Sequence, residues 1–314
     1  MPGTNVDLSV MVAGLVLDNP IMPASGCFGP ELAPLLSAER LGAVVTKTVF
    51  AVHRAGNSAH RLTETPYGML NSVGIPSLGS SNFRDVLLRR YQACGTQVIV
   101  SIGGLYVHEY YTVAEDLADE DIAAFEVNVS CPNLEQGGLA IGTSPARVAE
   151  VVAGIRERVK QPLFVKLTPT VNSITEIALA AEEAGAAAVT VANSYSGLSI
   201  DVNRRGSTLG SGAGGYTGPA IKPLALKLVH DAASAISIPV IGCGGITVAE
   251  DVAEFMIAGA TAVQVGSATF TRPTAMMEIM ADLTPLCRRL GVLAISELIG
   301  TLDSYTAAGT PGRR

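Results

Sequence analysis

Eight short runs of β-branched and other apolar residues recur along the chain, separated by Ala- and Leu-rich stretches with helical spacing. The runs cover residues 20–25, 43–50, 97–104, 125–131, 163–169, 188–194, 238–246 and 262–269. Nearly continuous apolar strands that alternate with helices are typical of a parallel sheet covered by helices. Eight such units predict an α/β fold, a closed (β/α)8 TIM barrel, in preference to a doubly wound sheet, which rarely contains eight units this regular.

One of the intervening helices is predicted over 173–185. Its apolar face is expected to contain Ile174, Ile177, Leu179 and Ala181, and a glycine ends it. The segment 6–17 predicts a β-hairpin that closes the bottom of the barrel. No linker or change of composition divides the 314 residues, so a single domain over 1–314 is expected.

Three connections are longer than a barrel needs, and each follows the carboxyl end of a predicted strand. They cover residues 51–80, 132–145 and 195–219. Barrels build their active sites on this face, and long loops there are usually functional lids. The sequence therefore predicts a site covered by long loops at the C-terminal face.

Charge and cysteine usage exclude several classes of protein. The formal net charge of −7 argues against binding of nucleic acid, which requires a basic surface. The five cysteines are scattered without a CxxC pair, so neither an iron–sulfur centre nor a structural zinc site is indicated. The first twenty residues have no basic region before an apolar one, which argues against a signal peptide or a membrane helix. A cytoplasmic protein with reduced thiols and no metal is expected.

Two of the five lysines, Lys47 and Lys166, lie inside otherwise apolar strands. A lysine buried without water is costly unless an anion answers its charge. An internal ion pair is one explanation, and Glu126 is the nearest candidate partner. Because both lysines stand near strand ends, contact with an anionic ligand is the favoured interpretation.

Glycines follow the seventh and eighth predicted strands, in IGCGGI at 241–246 and VGSATF at 265–270. Barrels commonly bind a phosphate at these two loops, using bare backbone N–H groups and a helix N-terminus. The pattern indicates a phosphorylated cofactor or substrate, with FMN and a sugar phosphate both open.

The most informative segment is EVNVSCPNLEQGG at 126–138. Alternation along the strand places Asn128 and Ser130 on one face, and Cys131 stands at the strand's end. A single cysteine is more often an inert core residue, but one at a strand end beneath a lid is a candidate base or nucleophile. The amides of Asn71, Asn128, Asn133 and Asn193 at the same face suit a flat polar ring such as a pyrimidine.

Together these motifs resemble class 1 dihydroorotate dehydrogenases over nearly the whole chain. The stretches that carry the resemblance are NPIMPASGCFG (19–29), GAVVTKTV (42–49), GMLNSVGIPS (68–77), EVNVSCPN (126–133), VKLTP (165–169), VANS (191–194), GYTGPAIKP (215–223), IGCGGI (241–246) and VGSATF (265–270). The quinone-using, membrane-bound class is similar but has a serine where Cys131 stands, and dihydropyrimidine dehydrogenases generally have a histidine where Asn133 stands.

The resemblance implies an FMN-dependent oxidation of (S)-dihydroorotate to orotate in pyrimidine (UMP) biosynthesis, with Cys131 as the base. It implies FMN contacts from Ser25, Lys47, Thr48, Ser101, Asn128, Lys166, Ala192, Gly218, Gly244, Gly245, Gly266 and Ser267. It implies orotate contacts from Lys47, Asn71, Ser72, Val73, Gly74, Ile75, Asn128, Asn133, Asn193 and Ser194. A dimer of barrels is also implied.

The opening MPASGCFG and the loop QGGLAIGTSP resemble the NAD+-linked branch, class 1B, whose barrel works with a second subunit that carries FAD and an iron–sulfur cluster. Ser101 stands where that branch often has asparagine and the fumarate-linked branch often has serine, so the fumarate-linked enzyme remains an alternative. A dihydropyrimidine dehydrogenase-like reductase, a flavin-free barrel acting on a sugar phosphate and a non-catalytic FMN-binding subunit are further alternatives.

Overall fold

In a computed structural model, which describes residues 6–130 and 141–303, eight parallel strands form one sheet in consecutive order. These strands, here β1 to β8, are Ile21–Pro23, Ala43–Val45, Gln97–Ile102, Ala124–Asn128, Leu163–Lys166, Ala188–Val191, Val240–Cys243 and Ala260–Val265. The N–H of Gly42, just before β2, donates to the carbonyl of Ile21 in β1 at 3.0 Å, so the first and last strands of the sheet meet. The predicted (β/α)8 barrel is confirmed.

Helices cover the outside of the barrel between its strands. They are Pro30–Leu32, Ala33–Leu36, Ala38–Arg40, Ser80–Asn82, Phe83–Leu88, Arg89–Gln92, Val107–Asp116, Pro145–Arg156, Ile174–Glu183, Pro219–Ile221, Lys222–Ala235, Ala249–Ile257, Ala268–Thr271, Ala275–Leu290 and Ile295–Leu298. Their apolar faces and the strands form one core that runs from Val6 to Leu298. Within the described ranges, none of these helices is both long enough and apolar enough to cross a membrane.

The helix predicted over 173–185 is present as Ile174–Glu183. The Ser173 hydroxyl accepts a hydrogen bond from the Glu176 N–H, which supplies an acceptor for one of the free N–H groups at the helix start. One detail of the predicted apolar face was wrong. Leu179 is exposed, and Ala178 is buried in its place, because the buried positions follow the helical i, i+3, i+4, i+7 spacing from Ile174.

The predicted N-terminal hairpin is confirmed by the antiparallel strands Val10–Val12 and Leu15–Leu17. Its carbonyl at Val16 accepts a hydrogen bond from the side chain of Gln97, the first residue of β3. Since parallel strands all begin at the same end of the barrel, the hairpin lies at the bottom, opposite the C-terminal face.

Two of the three long connections are joined in a small antiparallel sheet that the sequence did not predict. Its strands, in spatial order, are Tyr195–Gly197, Gly214–Thr217, Gly68–Asn71 and Leu62–Thr65. Shorter pairs join His53–Arg54 to Ser77–Leu78 and Ile200–Asp201 to Gly206–Ser207. We call the four-stranded unit the lid sheet. The third long connection, 132–145, lies mostly outside the described residues.

Candidate active site

A cavity opens at the C-terminal face, where residues at or just after the carboxyl ends of seven of the eight barrel strands line it together with the lid sheet. The residues that line it are Ala24, Ser25, Gly26, Cys27, Lys47, Thr48, Leu62, Met69, Asn71, Val73, Gly74, Ile75, Asn128, Lys166, Ala192, Asn193, Ser194, Thr217, Gly218, Ile221, Cys243, Gly244, Gly245, Ile246, Thr247, Gly266, Ser267 and Phe270. Polar groups on separate strands therefore converge on one space, as the strand-end pattern indicates for barrels.

Lys166 extends from the end of β5 into this cavity and is only 3% exposed. Its Nζ donates to Gln264 Oε1 at 2.9 Å and to Ser25 Oγ at 3.3 Å, and it lies 4.0 Å from Glu126 Oε1. Burial, the largest single influence, lowers the pKa of Lys166, but the Glu126 carboxylate together with the smaller contributions of Cys243 and Cys27 outweighs burial and the pKa is raised. Lys166 is therefore a charged group at the inner end of the cavity.

Lys47, which follows β2, lines the same cavity but has no carboxylate within ion-pair distance in the described part of the chain. Burial lowers its pKa, and the positive charge of Arg61 lowers it further. An ammonium in this setting gains most from an anion that arrives from outside.

Side-chain hydrogen bonds orient the amides of the cavity. The Asn128 Nδ2 donates to Thr48 Oγ1 at 3.0 Å, and its Oδ1 accepts from the Ser130 hydroxyl at 2.8 Å. The Asn193 Nδ2 donates to that same Ser130 oxygen at 2.8 Å. Because each amide is held through at least one polar partner, Asn128 and Asn193 present fixed edges to a bound ring.

The turn after β7 has the geometry of an anion cradle. Gly244 and Gly245 have φ of 141° and 75°, a backbone region that favours glycine. Within the described residues, the N–H groups of Gly245 and Ile246 donate to no oxygen, and Ile246 is buried. The start of the following helix, Ala249–Ile257, has fewer free N–H groups for an anion than the sequence suggested. The Asp251 carboxylate already accepts the N–H groups of Thr247 at 2.7 Å and Val248 at 3.1 Å.

Most of the predicted site residues lie together around this cavity. Those that line it are Ser25, Lys47, Thr48, Asn71, Val73, Gly74, Ile75, Asn128, Lys166, Ala192, Asn193, Ser194, Gly218, Gly244, Gly245, Gly266 and Ser267. Ser101 and Ser72 do not line it and are fully buried behind it. Ser101 Oγ is 2.9 Å from Thr48 Oγ1, so it supports a lining residue. Cys131 and Asn133 lie outside the described residues.

Two lining thiols, Cys27 and Cys243, were not predicted. Burial raises the pKa of Cys27 to about 12 and raises that of Cys243 as well, so both are neutral thiols at neutral pH. Neither is therefore a base in its present surroundings. Both stand in strand-end motifs that the sequence displays, GCFG and IGCGG, and that position was the signal that could have identified them.

The prediction also missed the apolar part of the lining and the buried partners of Lys166. Met69, Ile221 and Phe270 lie within stretches that carry the family resemblance but were not assigned to the site, and Leu62 lies outside those stretches. Gln264 lies inside β8, a largely apolar strand whose other polar residue is Thr261 near its start. An unpaired polar residue in such a strand, together with Glu126 in β4, was the available signal.

Fold and cavity together define a barrel enzyme whose C-terminal face is built to hold an anionic, planar ligand. The family model for dihydroorotate dehydrogenase matches residues 7–286. The chain is 44% identical over 299 residues to the dihydroorotate dehydrogenase B (NAD+) catalytic subunit of Geotalea uraniireducens, which covers 94% of this chain and 98% of that protein. The chain belongs to the dihydroorotate dehydrogenase family.

Proteins with the same name from two other bacteria show similar values. The protein of Desulforudis audaxviator is 45% identical over 298 residues, which cover 94% of this chain and 97% of the relative. The protein of Alkaliphilus oremlandii is 43% identical over 304 residues, which cover 95% and 100%. The likeness therefore extends through the barrel and the lid segments alike.

Proposed function

We propose that the chain is an FMN-dependent dihydroorotate dehydrogenase that oxidises (S)-dihydroorotate to orotate in pyrimidine biosynthesis. The observation that carries the proposal is the convergence of Lys47, Lys166 and three amides on one cavity at the strand ends of a family barrel. Membership of the family supports the reaction, and the cavity supports the ligands.

The residues present fit FMN. The N–H groups of Gly245 and Ile246 provide donors for its phosphate at the turn after β7, and Gly266 and Ser267 stand at the neighbouring strand end. The Lys166 ammonium offers a positive charge to the part of the ring system that becomes electron-rich on reduction. Thr48, Asn128 and Ala192 complete the contacts proposed for the ring. When bound, FMN would supply the two-electron oxidant of the reaction, with a hydride from C6 of the substrate as the transferred group and the flavin N5 as its acceptor.

This chain's own residues are proposed to do the rest. The Lys47 ammonium binds the substrate carboxylate, with Asn71 beside it. The edges of Asn128 and Asn193, with Asn133, would fix the orientation of the pyrimidine ring in the cavity, and orientation of this kind supplies a large part of a rate enhancement. The Cys131 Sγ, as thiolate, takes the C5 proton, and the electron pair of that C–H bond forms the C5=C6 double bond as the hydride leaves C6.

The electron acceptor is proposed to be NAD+, reached through a partner subunit with FAD and an iron–sulfur cluster. The relatives at 43–45% identity are named as NAD+-linked catalytic subunits, which supports this branch over the fumarate-linked alternative. We further propose a single barrel domain, a dimer of barrels and a cytoplasmic location. The free thiols of Cys27, Cys94, Cys243 and Cys287 are compatible with a reducing compartment.

The proposal is tested by anaerobic spectroscopy on the chain purified alone. The protein should be yellow, and stoichiometric dihydroorotate should bleach the flavin band without any partner subunit. Dihydrouracil serves as the matched control, because it lacks the carboxylate that Lys47 is proposed to bind, and should bleach the band far more slowly. A colourless protein that cannot be reloaded with FMN would contradict the flavin assignment. Equal bleaching by dihydrouracil would favour a dihydropyrimidine dehydrogenase-like reductase.

A further inference from the structure

Glu126 is a charged residue inside the barrel that the proposed reaction does not use. It lies in β4, two residues before Asn128, and is 0% exposed. Its Oε2 accepts from the amide of Gln264 and, at 3.5 Å, from the hydroxyl of Thr190. Its Oε1 accepts no hydrogen bond from any residue that the structure describes and lies 4.0 Å from Lys166 Nζ.

Gln264 connects the two charges. Its Oε1 accepts from the Lys166 ammonium at 2.9 Å, while its Nε2 donates to Glu126. An ammonium can only donate and a carboxylate can only accept, so the amide of Gln264 has one orientation that satisfies both. The Lys166 ammonium is thus held from the barrel interior by Gln264 and from the cavity side by Ser25.

The two charges differ in their distance from the cavity. Lys166 is part of the cavity lining, whereas Glu126, Gln264 and Thr190 are not. A group bound in the cavity therefore meets the positive end of a buried ion pair. The negative end faces the barrel interior, where water does not screen it.

We propose that Glu126 and Gln264 are positioning residues that keep the Lys166 ammonium charged and directed into the cavity, and that Glu126 thereby increases the preference of the site for reduced over oxidised FMN. The inference rests on the proposed function, since it takes FMN to be the ligand. Glu126 is an anion, yet its proposed effect is to favour reduced FMN, which is the effect expected of a positive charge near the flavin.

The sign follows from what burial does to a lysine. Without the carboxylate, desolvation would dominate and the ammonium of Lys166 would lose its proton more readily. Removal of Glu126 would then remove both charges from the neighbourhood of the flavin, and the nearer charge is the positive one. A carboxylate that acted only through its own field would have the opposite effect, because its removal would make the flavin easier to reduce.

The test is the two-electron reduction potential of the FMN holoenzyme, with Glu126→Gln compared with the unsubstituted protein. We expect at least about a tenfold loss of the preference for reduced over oxidised FMN, which equals a potential lower by about 30 mV. Lys166→Met should shift the potential in the same direction. The double variant should lie no lower than Lys166→Met alone, because Glu126 acts through Lys166. A higher potential in Glu126→Gln, or additive shifts in the double variant, would overturn the proposal.

Two further variants keep the test decisive if Glu126→Gln does not fold. Gln264→Leu retains both charges and removes the connecting amide, and should lower the potential by a smaller amount. Thr190→Val is the matched control, since it changes a buried side chain beside Glu126 whose hydroxyl makes no hydrogen bond to the Lys166 ammonium, and should leave the potential unchanged. An unchanged potential in Gln264→Leu, or an equal decrease in Thr190→Val, would contradict the positioning role. Failure of the unsubstituted protein to bind FMN would instead contradict the proposed function.

Discussion

Two lysines lie at strand ends around the same cavity, and they differ in whether the protein places a negative charge beside them. Lys166, at the end of β5, has Glu126 and Gln264 behind it, and its pKa is raised. Lys47, after β2, is influenced most by burial and then by the positive charge of Arg61, and both lower its pKa. The protein supplies the counter-charge of one lysine, while the other is left for a ligand. The first suits a permanent field on a cofactor, and the second suits recognition of a substrate carboxylate.

The largest expected effect decides between Lys47 and Cys131 as the base, because a lysine with a lowered pKa could itself take a proton. If Cys131 is the base, Cys131→Ala should slow reduction of bound FMN by dihydroorotate by about 10²- to 10⁴-fold, with FMN and orotate still bound. Anaerobic stopped-flow absorbance measures this rate. Cys287→Ala is the control, because Cys287 is buried in a helix away from the cavity lining and should leave the rate unchanged. Normal reduction in Cys131→Ala would exclude Cys131 as the base.

The second prediction separates the two lysines by stability. Lys166→Met leaves Glu126 buried without its cation, and breaking a buried ion pair in this way costs about 3–5 kcal/mol. We expect a lower free energy of unfolding for FMN-free Lys166→Met, measured by urea denaturation. Lys47→Met should show no such loss, since it removes an ammonium that burial and Arg61 already disfavour. Equal losses in the two variants would mean that the ion pair is not what distinguishes them.

The third prediction separates them by ligand. Lys47→Met should weaken orotate binding by about 10- to 100-fold, the amount expected for loss of a hydrogen bond to a charged group. Uracil has no carboxylate, so its binding should change little. Orotate-induced shifts of the flavin spectrum give both affinities. Lys227→Met changes the net charge equally at an exposed position on a surface helix, outside the cavity lining, and should leave orotate affinity unchanged. Equal weakening of both ligands would contradict the carboxylate contact.

The smallest effect is a dependence on pH. The pKa of Lys47 lies below its ordinary value of 10.5, so its charge is lost as pH rises through that lowered value. As pH rises, orotate affinity should therefore begin to fall before pH 10.5 is reached, by about tenfold for each pH unit above the lowered pKa. The ion pair of Lys166 has the opposite sign of shift, so its contribution to stability persists up to pH 10.5 and is lost only above it.

Orotate titrations in the Cys131→Ala background measure this dependence without interference from that thiol. Lys47→Arg is the control, because a guanidinium stays charged throughout the range and should give an affinity that does not vary with pH. A fall of the same size in Lys47→Arg would assign the titration to another group.

The regular part of the fold could be predicted because each strand carries its own signal. All eight barrel strands were found, but each was predicted too long at the carboxyl end. The run 43–50 contains only Ala43–Val45 as a strand, for example. Thr48, in that run, is β-branched and so typical of a strand, although the backbone there has left the ladder to form the cavity wall. Local composition does not distinguish these two situations.

The lid sheet could not be predicted for a related reason. Its strands have three or four residues, and Asn71 pairs with Gly215, 144 residues further along the chain. Pairing over such a distance leaves no periodic pattern in either segment. Lys166 shows a similar limit. The sequence supported both an ion pair with Glu126 and a ligand contact as explanations, and the structure gives it the carboxylate neighbour and a position on the cavity at once. Residues assigned to FMN and orotate individually remain predictions.

The lid sheet has a consequence for how such a site can change. Met69, Asn71 and Thr217 line the cavity from two paired strands, so the shape of the cavity depends on the register between loops encoded far apart. An insertion in one loop shifts that register unless the other changes to match. The shape of this wall therefore depends on both segments together, and a change in one requires a compensating change in the other. A graft of either loop alone from a relative would bring a strand without its partner, whereas a graft of both would transfer the pocket wall as one module.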